Sequence, residues 1–489
     1  MSTVENRRRE RETAPEANPR RWQALAVLAL VQFMIVIDNT IVNIALPSIR
    51  NDLGTSQAGL AWVVNGYLLT AGGLLLLGGR FADLLGRKKI FVIGTSVFAL
   101  ASLTSGAAWN SGVLIVSRFM QGVGEALASP AALALIVLMF TTPKERAKAL
   151  GIWGGLAGLG ATVGVLLSGV IVDFASWRWV FFINLPVAAI ALVLCAKLVQ
   201  DAPAVGVKRK LDIPGGLLVT GGLILVVNGL LSAAEHPWSS FGVWGSFLAG
   251  FVLLGLFVLV ESRTEDPMMP LRFFANRTRV SANATTVLLT SAMAAMFFIV
   301  TLYVQQVLGY SPLQSGLAYL PFCIAFIPGM ILSTQLVTRF GPKTAIIIGF
   351  VVSAVGMLLL ARIDAQGSFW GQLVPATMVL AFGLAIGLPA LQNAALHELS
   401  GEDAGLGSGV QTSVQQLGSA LGLAVLTTVA LTHTTGVLAT GVPQNEAIVS
   451  GYRFAFVIAA IVLAAGAALV AVFMQKVKAQ DPNTVGAPA

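Results

Sequence analysis

Charge is what this chain has least of. Only 11% of its 489 residues are Asp, Glu, Lys or Arg, against roughly 25% in soluble domains. With 56% hydrophobic residues and a mean hydropathy of +0.83, there is too little polar surface to cover a water-soluble globule. Length alone would suggest about three soluble domains of ~150 residues, and hydropathy overrides that reading. Cysteine is nearly absent as well: Cys195 and Cys323 lie far apart in apolar stretches, in no metal-type spacing, so both read as passive lipid- or core-facing side chains and no metal is expected. No G-x-x-x-x-G-K-[ST] phosphate loop occurs, and the nearest string, Gly341-Pro342-Lys343-Thr344, lacks the upstream glycine. ATP is thereby excluded as the energy source, and neither a cofactor nor an enzymatic activity is expected. The first 20 residues carry no apolar core and are not expected to be a cleavable signal peptide.

What the chain does have is about fourteen apolar stretches, each long enough to cross a bilayer: near 22–47, 57–79, 90–108, 111–134, 146–171, 178–199, 213–232, 241–261, 280–307, 313–337, 344–361, 370–396, 404–431 and 451–475. Placing the N-terminus in the cytoplasm puts 25 of the 30 basic residues on that side, in the Arg7–Arg21 arm and the loops Arg80–Lys89, Lys144–Lys148, Lys197–Lys210, Arg263–Arg279, Arg339/Lys343 and Lys476/Lys478. Only Arg50, Arg178, Arg362 and Arg453 fall outside. The positive-inside rule therefore predicts both termini in the cytoplasm and an even number of spans. The net charge of +8 is explained by that asymmetry, and no nucleic-acid partner is expected. Residues 1–20 read as a disordered arm facing anionic membrane lipid, followed by a six-helix bundle at 21–200, a linker with two additional helices at 201–279, a second six-helix bundle at 280–476 and a cytoplasmic tail at 477–489.

Three ionisable residues sit deep inside these spans: Asp38, Arg118 and Glu125. A mid-membrane charge costs on the order of 2.5–3.5 kcal/mol even on lenient insertion scales, so a carboxylate, guanidinium, carboxylate set confined to one half needs a reason. One reason is a structural ion pair; the other is handling of protons or substrate. Arg118, Gln121, Gly122, Glu125 and Ser129 follow at i, i+3, i+4, i+7 and i+11, along one face of the fourth span. Arg118 and Glu125 are two turns apart, about 10 Å along the axis, too far for a simple pair, which leaves one of them to engage Asp38 or a substrate. In the second half His397, Glu398 and His433 fall near span ends, so coupling belongs to the first half.

Internal repetition supports a two-part build. The loop Gly79–Lys89 (GRFADLLGRKK) has a degraded copy at Thr334–Lys343 (TQLVTRFGPK), with Thr338 where Asp83 stands. Eight spans separate the copies rather than six, which implies that the helices at 213–232 and 241–261 are inserted. The basic residues of the first loop are explained as topology determinants. Asp83 is not, and it suits a latch formed in one conformation through a helix terminus or neighbouring arginines. Gly160, Gly164, Ser168 and Gly169 place small residues where two helices can approach closely, with packing as the default role.

These motifs carry a resemblance. Gly79–Lys89 resembles the glycine, aspartate and basic loop motif of the major facilitator superfamily, and Leu114–Gly124 (LIVSRFMQGVG) resembles its fourth-helix arginine motif. Ile37–Pro47 (IDNTIVNIALP) looks like the first-helix signature of its fourteen-helix drug:proton antiporter branch, and Trp177–Pro186 (WRWVFFINLP) adds a further match. The resemblance spans residues 21–476. It departs in the fifth span, where Val165 stands for the family's proline and Ser168 for a glycine, so the direction of transport is implied by membership more than by this motif.

The resemblance implies an all-α integral membrane protein of the major facilitator fold, with two six-helix bundles plus two extra helices, and a proton-driven antiporter that exports amphipathic drugs or antibiotics across a bacterial inner membrane. Asp38, Arg118 and Glu125 are expected to couple protons; Gly79, Asp83, Gly86 and Arg87 to form the gating loop. The expected partners are protons, membrane lipids and a small amphipathic molecule, with the chain a monomer. Substrate-binding candidates are Asn39, Asn43, Gln121 and Glu125, with Phe297, Phe298, Tyr303, Gln305, Gln306, Tyr319, Phe322, Phe326, Asn393 and Gln411 as an opposing wall, because aromatic and amide groups offer apolar area with few directional demands. Most of that wall is equally compatible with lipid-facing aromatics. A transporter of an endogenous metabolite or lipid is the alternative. From another class, a non-transporting sensor or scaffold has no use for buried Asp38 and Arg118.

Overall fold

The structure is a computed structural model, and it describes residues 20–140, 142–199, 211–264, 267, 268, 273, 275–399 and 404–475. The expected arm (save residue 20), the tail 477–489 and residues 201–210 of the expected linker lie outside the described residues. Among the described residues, fourteen long helices follow one another: α1 Arg21–Leu53, α2 Gln57–Leu85, α3 Arg87–Gly106, α4 Ser111–Met139, α5 Pro143–Phe174, α6 Trp179–Leu198, α7 Ile213–Glu235, α8 Phe241–Arg263, α9 Arg277–Val307, α10 Pro312–Phe340, α11 Pro342–Leu360, α12 Phe369–Ala395, α13 Ala404–Leu438 and α14 Gln444–Phe473. Among the described residues, thirteen helices are long and apolar enough to cross a membrane, and in α5 the apolar stretch is Val163–Phe174. Each span read from hydropathy has its helix.

Local chemistry sets where the helices start. Ser56, Asn110, Asp212 and Ser240 each accept a hydrogen bond from a backbone N–H three residues on, and Ser311 with Gln314 forms a reciprocal capping box. Two glycines make the sharp corners of the repeated loops: Gly86 between α2 and α3 has φ 98°, and Gly341 between α10 and α11 has φ 81°, a region that L side chains avoid. Their following lysines do matching work. Lys88 Nζ donates to the Ala196 carbonyl at the end of α6, 3.4 Å, and Lys343 Nζ to the Ala471 and Met474 carbonyls at the end of α14, 2.8 and 2.7 Å. Both basic side chains thus satisfy orphan carbonyls at a helix C-terminus.

The helix pairing repeats with the same offset of eight. Pairs α2/α4, α3/α4 and α1/α5 recur as α10/α12, α11/α12 and α9/α13, while α7 and α8 pack chiefly on each other. Helix prolines correspond too, Pro130 in α4 with Pro389 in α12. Glycine permits the tightest of these contacts. A Cβ on Gly78 of α2 would strike the Ala126 backbone carbonyl of α4, and one on Gly122 would come within 2.5 Å of the Tyr67 carbonyl. Gly78→Val is therefore expected to lower stability by about 1–3 kcal/mol through overpacking. Gly79→Ala, whose added Cβ would meet only Pro130 at 3.7 Å, should be neutral. Thermal unfolding in detergent, followed by size-exclusion chromatography, compares the two; equal midpoints would show that α2 and α4 separate freely.

At the ends facing the basic loops, Arg21 Nη2 donates to Glu145 at 2.7 Å, tying α1 to α5. This hydrogen bond holds the Glu145 carboxyl below the usual range. At the opposite ends, which the charge asymmetry assigns to the outside, the two bundles meet: Gln305 donates to the Ile44 carbonyl at 2.9 Å, Arg50 to Gln306 at 3.4 Å, and Ser311 to Asp173 at 3.3 Å. Gly169 of α5 lies against Pro312 and Leu313, and Gly316 against the Val165 carbonyl. The outer face is therefore closed.

Candidate functional site

Asp38, near the middle of α1, is fully buried, and so is Arg118 of α4 at 1% exposure. The guanidinium donates from Nη1 to Asp38 Oδ2 at 2.5 Å and to Gln121 Oε1 at 2.8 Å, and from Nε to the Val63 carbonyl at 3.0 Å. Asp38 Oδ1 accepts from Gln121 Nε2 at 3.0 Å and from Asn184 Nδ2 at 2.7 Å. Gln121 also donates to Ser102 at 2.8 Å and accepts from Ser105 at 3.3 Å. Under the guanidinium lies the Tyr67 ring, 4.4 Å from its centroid, a desolvated cation–π contact. Helices α1, α2, α3, α4 and α6 all converge on this network, and the Asp38 carboxylate has three donors. Charge burial is tolerable here because the pair is also hydrogen-bonded on its remaining lone pairs.

The sequence spacing explains how α4 delivers the set. Arg118, Gln121, Gly122 and Glu125 share one face, and Gly122 lets that face press on α2, where Thr70 donates to the Phe119 carbonyl at 2.9 Å. Glu125 lies two turns inward and stays out of the ion pair. Its Oε1 accepts from Gln416 Nε2 of α13 at 3.2 Å, across the interface between the bundles. The Tyr67 hydroxyl of α2 lies beside the same carboxyl, and neither Glu125 Oε2 nor Tyr67 Oη has a well-aligned hydrogen bond. Two buried carboxylates thus have different surroundings: one is saturated inside the first bundle, the other lies between Tyr67 of the first bundle and Gln416 of the second, where the bundles face each other.

Of the opposing wall, Phe297, Tyr319, Phe322 and Phe326 do form one aromatic surface between α9 and α10, with successive ring centroids 5.1–6.0 Å apart. Tyr319 is fixed by Thr301 and the Phe297 carbonyl, both at 2.9 Å. Other expected wall residues are placed elsewhere by packing. Phe298 is 1% exposed within the core, Gln411 donates to Thr286 of α9 at 3.0 Å, and Tyr303 donates to the Asp364 carbonyl at the outer end. Gln305 and Gln306 belong to the outer seal described above, and Asn393 is exposed near the inner end of α12. Asn39 and Asn43 are half-buried, with the Asn43 amide donating to the Asn39 carbonyl. The small residues of α5 lie on α1: Gly160 against Val36, Gly164 against Thr40, and Ser168 Oγ on the Ile41 carbonyl at 2.5 Å. Gly169 faces α10 instead. The stretch expected as a gating loop is mostly helix: α2 runs through Gly79 and Asp83 to Leu85, only Gly86 breaks it, and Arg87, the first residue of α3, pairs with Asp83 at 2.8 Å across that corner on the exposed surface.

Asn184, Ser102, Tyr67 and Gln416 are not among the site residues that charge and spacing point to. Asn184 sits inside the Trp177–Pro186 motif, and an amide directly before Leu-Pro within an apolar run was the available signal. The others have no local mark. Among the described residues, no three His, Cys, Asp or Glu side chains converge as a metal site would require.

Two helix bundles related by an eight-helix repeat, closed at their outer ends around a buried ion-pair network, define a multi-pass membrane transporter. The chain belongs to the Major Facilitator Superfamily, whose family model matches residues 28–423 and again 336–489. It is 38% identical over 445 residues to the puromycin resistance protein pur8 of Streptomyces alboniger, covering 90% of this chain and 88% of that protein. It is 40% identical over 407 residues to the lincomycin resistance protein of Streptomyces lincolnensis, covering 83% of each. The tetracenomycin C resistance and export protein of Streptomyces glaucescens is 32% identical, covering 83% of this chain and 75% of that protein. Among solved structures, the fold is similar to a bacterial homolog of the human lysosomal transporter Spinster, with TM-score 0.68, 16% identity, and coverage of 94% and 98%.

Proposed function

We propose that the protein is a proton-coupled antiporter that exports amphipathic drugs or antibiotics across the bacterial inner membrane by alternating access. The observation that carries this reading is the separation of the two buried carboxylates: Asp38 inside a hydrogen-bonded ion pair, and Glu125 at the bundle interface, outside that pair and in contact with Gln416 of the second bundle. The antibiotic resistance and export names of the relatives support the same class of cargo. A carboxylate facing a guanidinium is stabilised as the anion, and one withdrawn into apolar surroundings is stabilised as the acid. Movement of α1 against α4 within the first bundle, as the bundles rock, would alter the Asp38–Arg118 contact and so take up and release a proton during the cycle. Each charge moved is worth about 2.3 kcal/mol per 100 mV, enough to concentrate cargo roughly fortyfold under tight coupling. Asp83, held by Arg87 while the outer side is closed, would take a new partner when the inner ends close.

The test is transport by purified protein in liposomes with an imposed pH gradient and a panel of dyes, antibiotics and metabolites. Acceleration into vesicles with an acidic lumen, for inside-out protein, is the expected result. Identical rates with and without the gradient exclude antiport, and transport confined to metabolites overturns the choice of cargo.

Glu125→Gln separates charge from shape. The amide retains an acceptor for Gln416 and loses only the negative charge, so cationic substrates should bind about tenfold more weakly, ~1.4 kcal/mol, while neutral ones are little changed. Binding isotherms for one cationic and one neutral dye check this. Equal losses for both would remove Glu125 from charge recognition.

A further inference from the structure

The inserted helices do not sit at random on the periphery. Helix α7 grips α2 through its inner half, with Thr220 packed on Gly73 and Gly216 on Leu77. It then reaches α13 at its outer half, where Thr428 Oγ1 donates to the Leu230 carbonyl at 2.9 Å. Val227 between these points and Leu231 just beyond them are buried. The helix therefore crosses diagonally over the lateral seam where α2 of the first bundle meets α13 of the second. That seam is itself tight, with Gly72 against Gln416 and Leu417 and Gly409 against Leu76. Helix α8 backs α7 from outside through Gly250 on the Gly222 carbonyl and the Asn228 to Ser246 hydrogen bond at 3.0 Å, and it otherwise presents residues such as Phe241 and Leu248 outward.

The opposite lateral seam, between α5 and α10, has no such cover. It is sealed only at its outer end, by Val165 and Gly169 against Gly316, Pro312 and Leu313. At 100° per residue, Gly151, Gly154 and Gly155 fall within about 60° of that same face of α5, and nothing lies within 4 Å of a Cβ built on any of them. At these three glycines the two helices therefore part towards the inner side, and none of the three carries a side chain into the gap. Helix α10 continues from the seal with an exposed apolar stripe, Ile324, Ile327 and Ile331.

We propose that the α7–α8 hairpin is a fixed lateral seal over the α2/α13 seam, so that amphipathic substrate dissolved in the inner leaflet reaches the interface between the bundles only from the other side, between α5 and α10. The inference rests on the reading of the cargo as amphipathic. Small-residue contacts join α7 to the first bundle, and side-chain packing with one hydrogen bond to a backbone carbonyl joins it to α13, so the hairpin covers both edges of the seam. An amphipath partitioned into lipid reaches the α5/α10 gap without leaving apolar surroundings, whereas the hairpin places two further helices across the other seam.

The test uses the full chain in lipid nanodiscs and a single-chain quaternary ammonium amphipath bearing a diazirine, with adducts mapped by peptide mass spectrometry. Adducts are expected on residues 150–159 of α5 and 324–335 of α10, at least tenfold above those on 72–77 of α2 and 409–417 of α13. Gly73→Trp, whose indole displaces Thr220, should open the second seam and bring adducts there. Should that variant not assemble, Thr220→Gly empties the same contact and reads the same seam. A disulfide joining Gly73→Cys to Thr220→Cys, in a background of Cys195→Ala and Cys323→Ala, should keep both the wild-type adduct pattern and transport. Equal labelling of the two seams in the wild type, or no new adducts in the folded seam variant, overturns the proposal. Because labelling is read without any gradient, a protein that labels at α5/α10 yet fails to export would fault the exporter reading alone.

Discussion

Asp38→Asn is expected to insert and assemble but to lose gradient-driven uphill transport by about a hundredfold or more, ~2.7 kcal/mol at 1.36 kcal/mol per decade. The substitution keeps the side-chain shape and removes the group that can alternate between acid and anion. Three donors converge on the carboxylate, from Arg118, Gln121 and Asn184. An asparagine presents one acceptor oxygen and an NH2, so one of them must be re-paired. Asn184 can do this by turning its own amide oxygen toward the new donor, which is why assembly should survive. The check is twofold: a monodisperse peak in size-exclusion chromatography, and substrate accumulation in liposomes under an imposed pH gradient. Full uphill accumulation by a well-folded Asp38→Asn protein would take the proton-carrying role away from Asp38.

Most of the architecture was legible because lipid leaves few options for the backbone. Every spanning segment must satisfy its own N–H and C=O groups, so hydropathy alone located all fourteen helices to within a few residues at most ends. The repeat was legible through Gly86 and Gly341, since a positive φ at a helix junction restricts the residue more than any packing contact does. Asp38 and Arg118 stood out because mid-membrane charge is expensive. Asn184 and Gln416 did not, because an amide in an apolar run is cheap enough to be structural and nothing local marks its partner, 146 residues from Asp38 in one case and 291 from Glu125 in the other. The wall residues failed to sort for a related reason. Phe297 and Phe298 are adjacent in sequence, yet one lies on the aromatic surface and the other in the core, and only the rotation of α9 against its neighbours decides which.

Arg118→Ala should show whether the buried pair is a working part or only a tie between helices. Removing the guanidinium strips Asp38 of its charged partner, leaves Gln121 Oε1 with Ser105 as its only donor in this network, and frees the Val63 carbonyl. Breaking a buried pair from one side costs about 3–5 kcal/mol, so the unfolding midpoint should drop clearly. An uncompensated carboxylate in apolar surroundings is favoured as the neutral acid, so the variant is expected to bind substrate and exchange it downhill while stalling in uphill transport. Arg118→Lys keeps the charge and gives up the planar fork that reaches Asp38, Gln121 and Val63 together; it should fall between the alanine variant and the wild type. The double variant Asp38→Asn/Arg118→Ala separates the two roles. With neither charge buried, stability should recover by more than either single change predicts, a coupling that the mutant cycle measures directly. Transport should not recover with it. If uphill transport returned along with stability in the double variant, the pair would be a structural tie, and the proton would have to travel by way of Glu125.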